Sequence, residues 1–323
     1  MARSNLRAME VVGADECTPT PSGAAVTVGA YDGVHLGHRY VIGHLAELAR
    51  QRGLETVVVT FDRHPASVVR PESDPPTLTD LEQKLELLAD CGVDRTVVIR
   101  FDRARSDETA EDFVSTMLVR ALAARLVVVG RDFHFGHGRK GDVALLTEMG
   151  EDEGFEVEPV GLIDGDGGGG DPVSSTRIRR LIAQGDVAGA ATLLGRPHEV
   201  RGAVQHGAGR GGLLLGFPTA NIGVAPEIAL PAPGVYAGRF SWSGGLGHPA
   251  AISVGQPPSF ENDEEPSPLV EAYLLDFDGD LYDEPSRVAF EAWLRPQQAF
   301  DDLDDLVAQM GVDVESTRRV LSS

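Results

Sequence analysis

The chain has 323 residues, 42% of them hydrophobic, and a formal net charge of −22, the make-up of a folded protein long enough for two domains. So acidic a balance excludes broad nucleic-acid or anionic-membrane binding, which needs basic surface, but not a nucleotide, whose phosphates a few arginines and a divalent ion neutralise locally. Cys17 and Cys91 are too few for a disulfide framework and lack metal-ligand spacing, no apolar run is long enough to span a membrane, and the first residues lack a signal-peptide core, so a cytoplasmic protein is expected.

A short strand is expected near Glu10–Gly13. The stretch from Val26 to Arg39, VTVGAYDGVHLGHR, then reads as a buried strand, a turn carrying Gly29 and Gly33, and a helix whose apolar face holds Tyr40, Val41, Leu45 and Leu48. His35 and His38, three apart at the helix start, share a face. The unpaired N–H groups and partial positive charge there suit a phosphate. Glu55–Phe61 is a β-branched strand that ends in Asp62-Arg63-His64-Pro65, and loops at strand carboxyl ends hold ligands in open α/β sheets. A helix is expected over Leu78–Cys91 with Leu81, Leu85 and Leu88 on one face, a strand over Thr96–Ile99 and a helix over Ala110–Ala124. Leu126–Val129 is a further strand, ending in GRDFHFG at Gly130–Gly136, and Val157–Val160 another. Strands alternating with helices imply a parallel sheet. The acidic glycine run 164–171 reads as a flexible loop. In VSSTRIR, Ser175 and Thr176 precede an apolar-periodic run as N-caps, and with Arg179 one turn on they form a second phosphate cradle.

The helical pattern continues to Gly195 with a break near Gly185-Asp186, after which short strands lie between glycines and prolines. Domains are therefore expected at 1–186 and 187–323, with 187–198 as the joining segment. Strands are expected over 198–206, 234–242, 249–254, 269–277 and 286–294, a pattern of a small antiparallel barrel. Phe300–Leu321 reads as a closing helix with Phe300, Leu303, Leu306, Val307 and Met310 on one side. Between the first two strands lies a glycine loop carrying Gly207 and Gly209, whose amides can wrap phosphates, and then Gly216-Phe217-Pro218-Thr219-Ala220-Asn221. Proline fixes the backbone there, so Thr219 and Asn221 project to the same side of an extended chain. A hydroxyl and an amide oxygen are hard ligands of the kind Mg²⁺ accepts beside ATP oxygens. Glu271 is an acidic residue inside an apolar-rich strand.

The pieces GAYDGVHLGH, TFDRHP, GRDFHFG, VSSTRIR and GFPTAN occur in the order and spacing of the bacterial bifunctional riboflavin kinase/FMN adenylyltransferase family, which the chain resembles from about Val26 to Leu321. The resemblance implies a Rossmann-like HxGH nucleotidyltransferase domain followed by a β-barrel kinase domain. It implies that His35 and His38 contact ATP phosphates and stabilise the transition state. Gly29, Asp32, Gly37, Ser175, Thr176 and Arg179 would surround the nucleotide, and Phe61, His64, Pro65 and Asp132 the flavin. In the second domain Gly207, Gly209, Gly216, Phe217, Pro218 and Thr219 would hold ATP, Thr219 and Asn221 Mg²⁺, and Glu271 would take the proton of the riboflavin hydroxyl. The substrates and products are then riboflavin, FMN, FAD and ATP, and a homo-oligomer is compatible with the sequence. Two positions depart from the family. Asp132 stands where asparagine is usual, exchanging an amide that donates and accepts for a carboxylate that only accepts. Gln256-Pro257 and Ser259 replace a Thr-Asn pair and a threonine. These departures leave two alternatives, a relative with one activity, the kinase in particular, or a non-catalytic flavin-binding protein.

Overall fold

The computed structural model describes residues 9–161, 171–205, 219–255, 270–300 and 302–322. Residue contacts divide the chain into two compact units, Met1–Ser174 and Ser175–Ser323, earlier than the 186/187 boundary expected from composition.

In the first unit, β1 (Glu10–Gly13), β2 (Ala24–Val28), β3 (Glu55–Phe61), β4 (Arg95–Ile99), β5 (Ala124–Gly130) and β6 (Glu156–Val160) form one sheet in the order β1-β4-β3-β2-β5-β6. Every pairing is parallel. The helices are α1 (Leu36–Arg52), α2 (Ala66–Val69), α3 (Leu81–Asp90), α4 (Arg103–Ser106), α5 (Ala110–Phe113) and α6 (Val143–Glu153). Helices on a parallel sheet bury both its faces, which is why all five residues of β2 are buried and the strand reads as an unbroken run of small and β-branched side chains. From β2 the chain steps one way to β3 and β4, then returns to the other side of β2 for β5 and β6. That reversal opens a crevice outside the carboxyl ends of β2 and β5, where open α/β sheets bind ligands.

Three helices differ from expectation. The Asp80 carboxylate accepts the Gln83 N–H at 2.7 Å, so α3 starts at Leu81 rather than Leu78. The helix expected over Ala110–Ala124 changes to π-helical winding over Val114–Ala121, and Ala124 is already in β5, paired with Ala24. Helix α6 escaped the sequence reading although Asp142 caps it through the Leu145 N–H at 2.9 Å.

The second unit starts with α7 (Ser175–Ala183) and α8 (Val187–Leu194). Then β7 (His198–Gln205), β8 (Thr219–Val224), β9 (Gly234–Trp242), β10 (Gly245–Val254), β11 (Val270–Leu274) and β12 (Pro285–Pro296) close a barrel in the order β10-β11-β8-β7-β12-β9, all antiparallel. Its interior is filled by side chains such as Tyr236, Phe240, Ile252, Val288 and Phe290. The closing helix α9 runs over Leu303–Leu321, starting three residues later than expected because Asp302 caps it through the Asp304 N–H. Leu303 is 63% exposed, not part of the packed side. The buried positions of α9 are Asp313 and Thr317.

Asp313 explains the difference. Its carboxylate receives Arg295 of β12 through both Nε (2.9 Å) and a terminal nitrogen (2.7 Å), and Gln309 Nε2 at 3.0 Å. Removing one partner of such a pair leaves the other charge buried. Asp313→Ala is therefore expected to lower barrel stability by about 3 kcal/mol. Both tryptophans, Trp242 and Trp293, lie in the barrel strands, so tryptophan fluorescence during urea unfolding reads that loss without contribution from the first unit.

Candidate active sites

The turn between β2 and α1 is held from below. Thr27 Oγ1 and the Tyr31 hydroxyl are 2.6 Å apart. Tyr31 and Val34 are both buried and both adopt positive φ, +50° and +37°, a conformation that costs a β-branched residue most. Asp32, expected around the nucleotide, is 6% exposed and accepts the Leu78 and Thr79 N–H groups at 2.8 and 3.3 Å. Its carboxylate braces the turn against the segment before α3. Gly29 lies against the Tyr31 ring, which a Cβ there would approach to 3.1 Å.

On this base sit the two imidazoles. His35 is the N-cap of α1, and its Nδ1 accepts the His38 N–H at 3.3 Å. The rings stack with centroids 3.5 Å apart and planes 16° from parallel, and the Tyr31 ring meets His38 edge-on at 5.0 Å. Gly37 makes room for the stack, since a Cβ would come within 3.1 Å of the His35 ring. His38 Nδ1 is buried with no hydrogen-bond partner among the described residues. Burial above all, then His35 and the Lys84 ammonium, hold His38 well below the usual histidine range. The imidazole is thus neutral at pH 7 and acts through hydrogen bonds; a phosphate beside it would supply the negative charge that favours protonation.

The neighbouring strand ends carry the expected flavin residues. Phe61 closes β3 and packs edge-on against Phe101 at 5.2 Å. His64 Nδ1 accepts the Ala66 N–H at 3.1 Å, and Pro65 is the N-cap of α2, so both shape the start of that short helix. Asp132 is exposed just beyond β5, and its carboxylate folds back over Gly130, where a Cβ would stand 2.8 Å from Oδ1. The parallel sheet brings these segments together because β3, β2 and β5 are adjacent and end on the same edge. Lys84 was missed by the sequence reading. It lies three residues after Leu81 and four before Leu88, on the apolar face, and that placement was its one available signal. Its Nζ donates to the Phe61 carbonyl at 2.7 Å and the Ala30 carbonyl at 3.3 Å.

Ser175, Thr176 and Arg179 stand in the first turns of α7, Thr176 exposed and the other two half-buried. Gly207, Gly209, Gly216, Phe217 and Pro218 lie outside the described residues, as does Gln256-Pro257.

On the barrel, register assembles the second site. Ala220, Ile222, Val270 and Ala272 point into the core, so by alternation Thr219, Asn221 and Glu271 face outward. Glu271 is directly opposite Asn221 across the β8–β11 pair, and Tyr273 is opposite Thr219. Directly opposed side chains on one face have Cβ atoms about 5 Å apart. A hydroxyl, an amide and a carboxylate distant in sequence therefore adjoin. Burial pushes the Glu271 carboxyl above the usual glutamate range, towards better proton acceptance. On its other side Glu271 faces Ser253 of β10, whose Oγ accepts from Gln297 Nε2 at 2.8 Å. Neither Ser253 nor Gln297 was singled out from sequence.

Comparison with known proteins matches the same two halves. The FAD synthetase family model covers residues 17–177 and the riboflavin kinase model residues 194–321. The chain is 36% identical over 296 residues to the bifunctional riboflavin kinase/FMN adenylyltransferase of Escherichia coli K12, covering 92% of each chain. It is 38% identical over 294 residues to the protein of that name from Listeria monocytogenes, covering 91% of each. Among solved structures, a macrolide-efflux protein from Streptococcus pneumoniae superposes with a TM-score of 0.84 at 30% identity, over 96% of this chain and 99% of that one. Among the described residues no helix is long and apolar enough to cross a membrane. Two matched domains in order, and relatives of more than 30% identity along nearly the whole chain, place it in the bifunctional riboflavin kinase/FMN adenylyltransferase family.

Proposed function

We propose that the chain makes FAD in two steps, phosphorylating riboflavin on the barrel and adenylylating FMN on the parallel sheet. The observation that carries the reading is the pairing of both catalytic families in one chain, each with its predicted polar residues adjacent in space. In the kinase step Glu271 takes the proton of the riboflavin 5′-hydroxyl as its oxygen bonds to the γ-phosphorus of ATP; ADP leaves with the electrons of the broken P–O bond. Thr219 and Asn221 hold Mg²⁺, which fits their hard oxygen donors on one strand face beside a carboxylate. When bound, the ion neutralises phosphate charge. The loop residues Gly207, Gly209, Gly216, Phe217 and Pro218 wrap the ATP phosphates.

In the adenylyl step an FMN phosphate oxygen attacks the α-phosphorus of a second ATP and pyrophosphate leaves. His35 and His38 stabilise the transition state by hydrogen bonds at the N-terminus of α1, with no covalent intermediate. Ser175, Thr176 and Arg179 bind the triphosphate; Phe61, His64, Pro65 and Asp132 border the flavin. Both reactions take place in the cytoplasm, without nucleic acid or membrane.

The test is one incubation of protein, riboflavin, ATP and Mg²⁺, with separation of FMN from FAD. Both products are expected in sequence. FMN that never proceeds to FAD would leave a kinase alone, and flavin binding without turnover would leave a binding protein. Asn221→Ala is expected to lower FMN formation by about 100-fold or more while supplied FMN is still converted to FAD. Loss of both activities would contradict two independent sites.

A further inference from the structure

Lys84 belongs to none of the motifs that mark the two sites, yet it is 7% exposed in an apolar helix face. Burying an ammonium is costly, and a leucine or methionine at that position would pack without the cost. What the lysine adds is polar. Its two donor contacts go to backbone oxygens of two different loops, Ala30 in the turn before the imidazoles and Phe61 at the head of TFDRHP. The Ala30 carbonyl is bonded a second time, by Thr60 Oγ1 at 3.2 Å. One side chain on α3 thus ties the carboxyl end of β3 to the turn after β2. The charges acting with it come from each of those elements, Asp32 after β2, Asp62 after β3 and His38 on α1.

We propose that Lys84 is a positioning residue for adenylyl transfer, setting the spacing between the imidazole turn and the flavin-side loop through its hydrogen bonds to Ala30 and Phe61. The inference rests on the reading of the first domain as an FMN adenylyltransferase. Charge strengthens such bonds about twofold over neutral ones, so the ammonium form holds the two loops best. Burial lowers its pKa to about 8 against the opposing pull of Asp32 and Asp62. The protein therefore loses the charged clasp within a measurable pH range.

The experiment compares the full chain with Lys84→Met, which keeps the apolar stem and removes the donors. FAD formation from supplied FMN and FMN formation from riboflavin are followed side by side from about pH 7 to 9.5. In the unsubstituted chain, kcat/KM for FMN adenylylation is expected to fall roughly fivefold or more above about pH 8, while the kinase profile is flat there. Lys84→Met is expected to lose about 30-fold or more in adenylylation at pH 7.5, to keep kinase activity, and to show no alkaline limb of its own. Adenylylation by Lys84→Met within threefold of the unsubstituted chain, or a flat profile in the unsubstituted chain, overturns the proposal. If Lys84→Met fails to fold, the unsubstituted profile decides alone. Failure of the unsubstituted chain to make FAD at any pH would instead overturn the adenylyltransferase reading itself.

Discussion

Glu271→Gln is expected to lower riboflavin phosphorylation by about 10²- to 10⁴-fold and to leave the conversion of supplied FMN to FAD within about twofold. The substitution keeps shape and hydrogen-bonding capacity but removes the proton acceptor. Its selectivity follows from the register, in which Glu271 adjoins Asn221 and Thr219 on the outer face of the barrel and nowhere else. The pH profile adds a second readout. Because burial raises the Glu271 carboxyl, the kinase should lose activity with acidification at a pH above the ordinary glutamate value, when the carboxylate takes up its proton. The glutamine protein should lack that limb. Equal rates in the two proteins, measured by chromatographic quantitation of FMN at saturating ATP and Mg²⁺, would remove Glu271 from the chemistry.

His38→Ala is expected to have the reverse selectivity, with FAD formation reduced by about 10²- to 10³-fold and FMN accumulating. The imidazole offers one of the few side-chain donors at the start of α1, and His35 is already committed to capping the helix. A neutral donor is the species present at pH 7, so adenylylation should not decline as pH rises through 6.5 on account of this residue. Stability carries the opposite sign from a salt-bridged histidine. The folded chain holds His38 below its unfolded pKa, so the unfolded chain binds the extra proton as pH drops beneath about 6.5 and folding is penalised there. His38→Ala should reduce that acid sensitivity in the first domain. Circular dichroism melting at pH 7.5 and 5.5, with the barrel followed separately by tryptophan fluorescence, distinguishes the two. An alanine protein that makes FAD at the original rate would exclude His38 from the transition state.

The pair of sites was legible before any fold was in hand, for different reasons in each domain. His35 and His38 are local: a strand, a glycine turn and a helix start place them on one face whatever surrounds them, and the stacked rings confirm that placement. Thr219 and Asn221 share a side because strand alternation requires it. Glu271 is fifty residues beyond Asn221, and periodicity says only that it lies on one face or the other. The antiparallel register decides which, and makes it a neighbour.

Asp32 shows the limit from the other side. Its motif suggested a group facing nucleotide, but its carboxylate turns inward to the Leu78 and Thr79 amides, a contact spanning forty-six residues that no local pattern encodes. Lys84 and Asp313 were missed for a related reason. A charged residue in an amphipathic helix is read as solvated, and only its partners on other elements, two carbonyls in one case and Arg295 in the other, make burial tolerable.

By itself the sequence determined the alternation of strands and helices, the change to short strands after residue 198, the motif residues and the family they point to, because each depends on contacts within a few residues or on composition. Tertiary structure alone decided the strand order that gathers three loops at one sheet edge, the cross-strand partner of Glu271 and the buried destinations of Asp32, Lys84 and Asp313. Those depend on which distant segments meet, and that is set by packing of the whole core rather than by any stretch of chain.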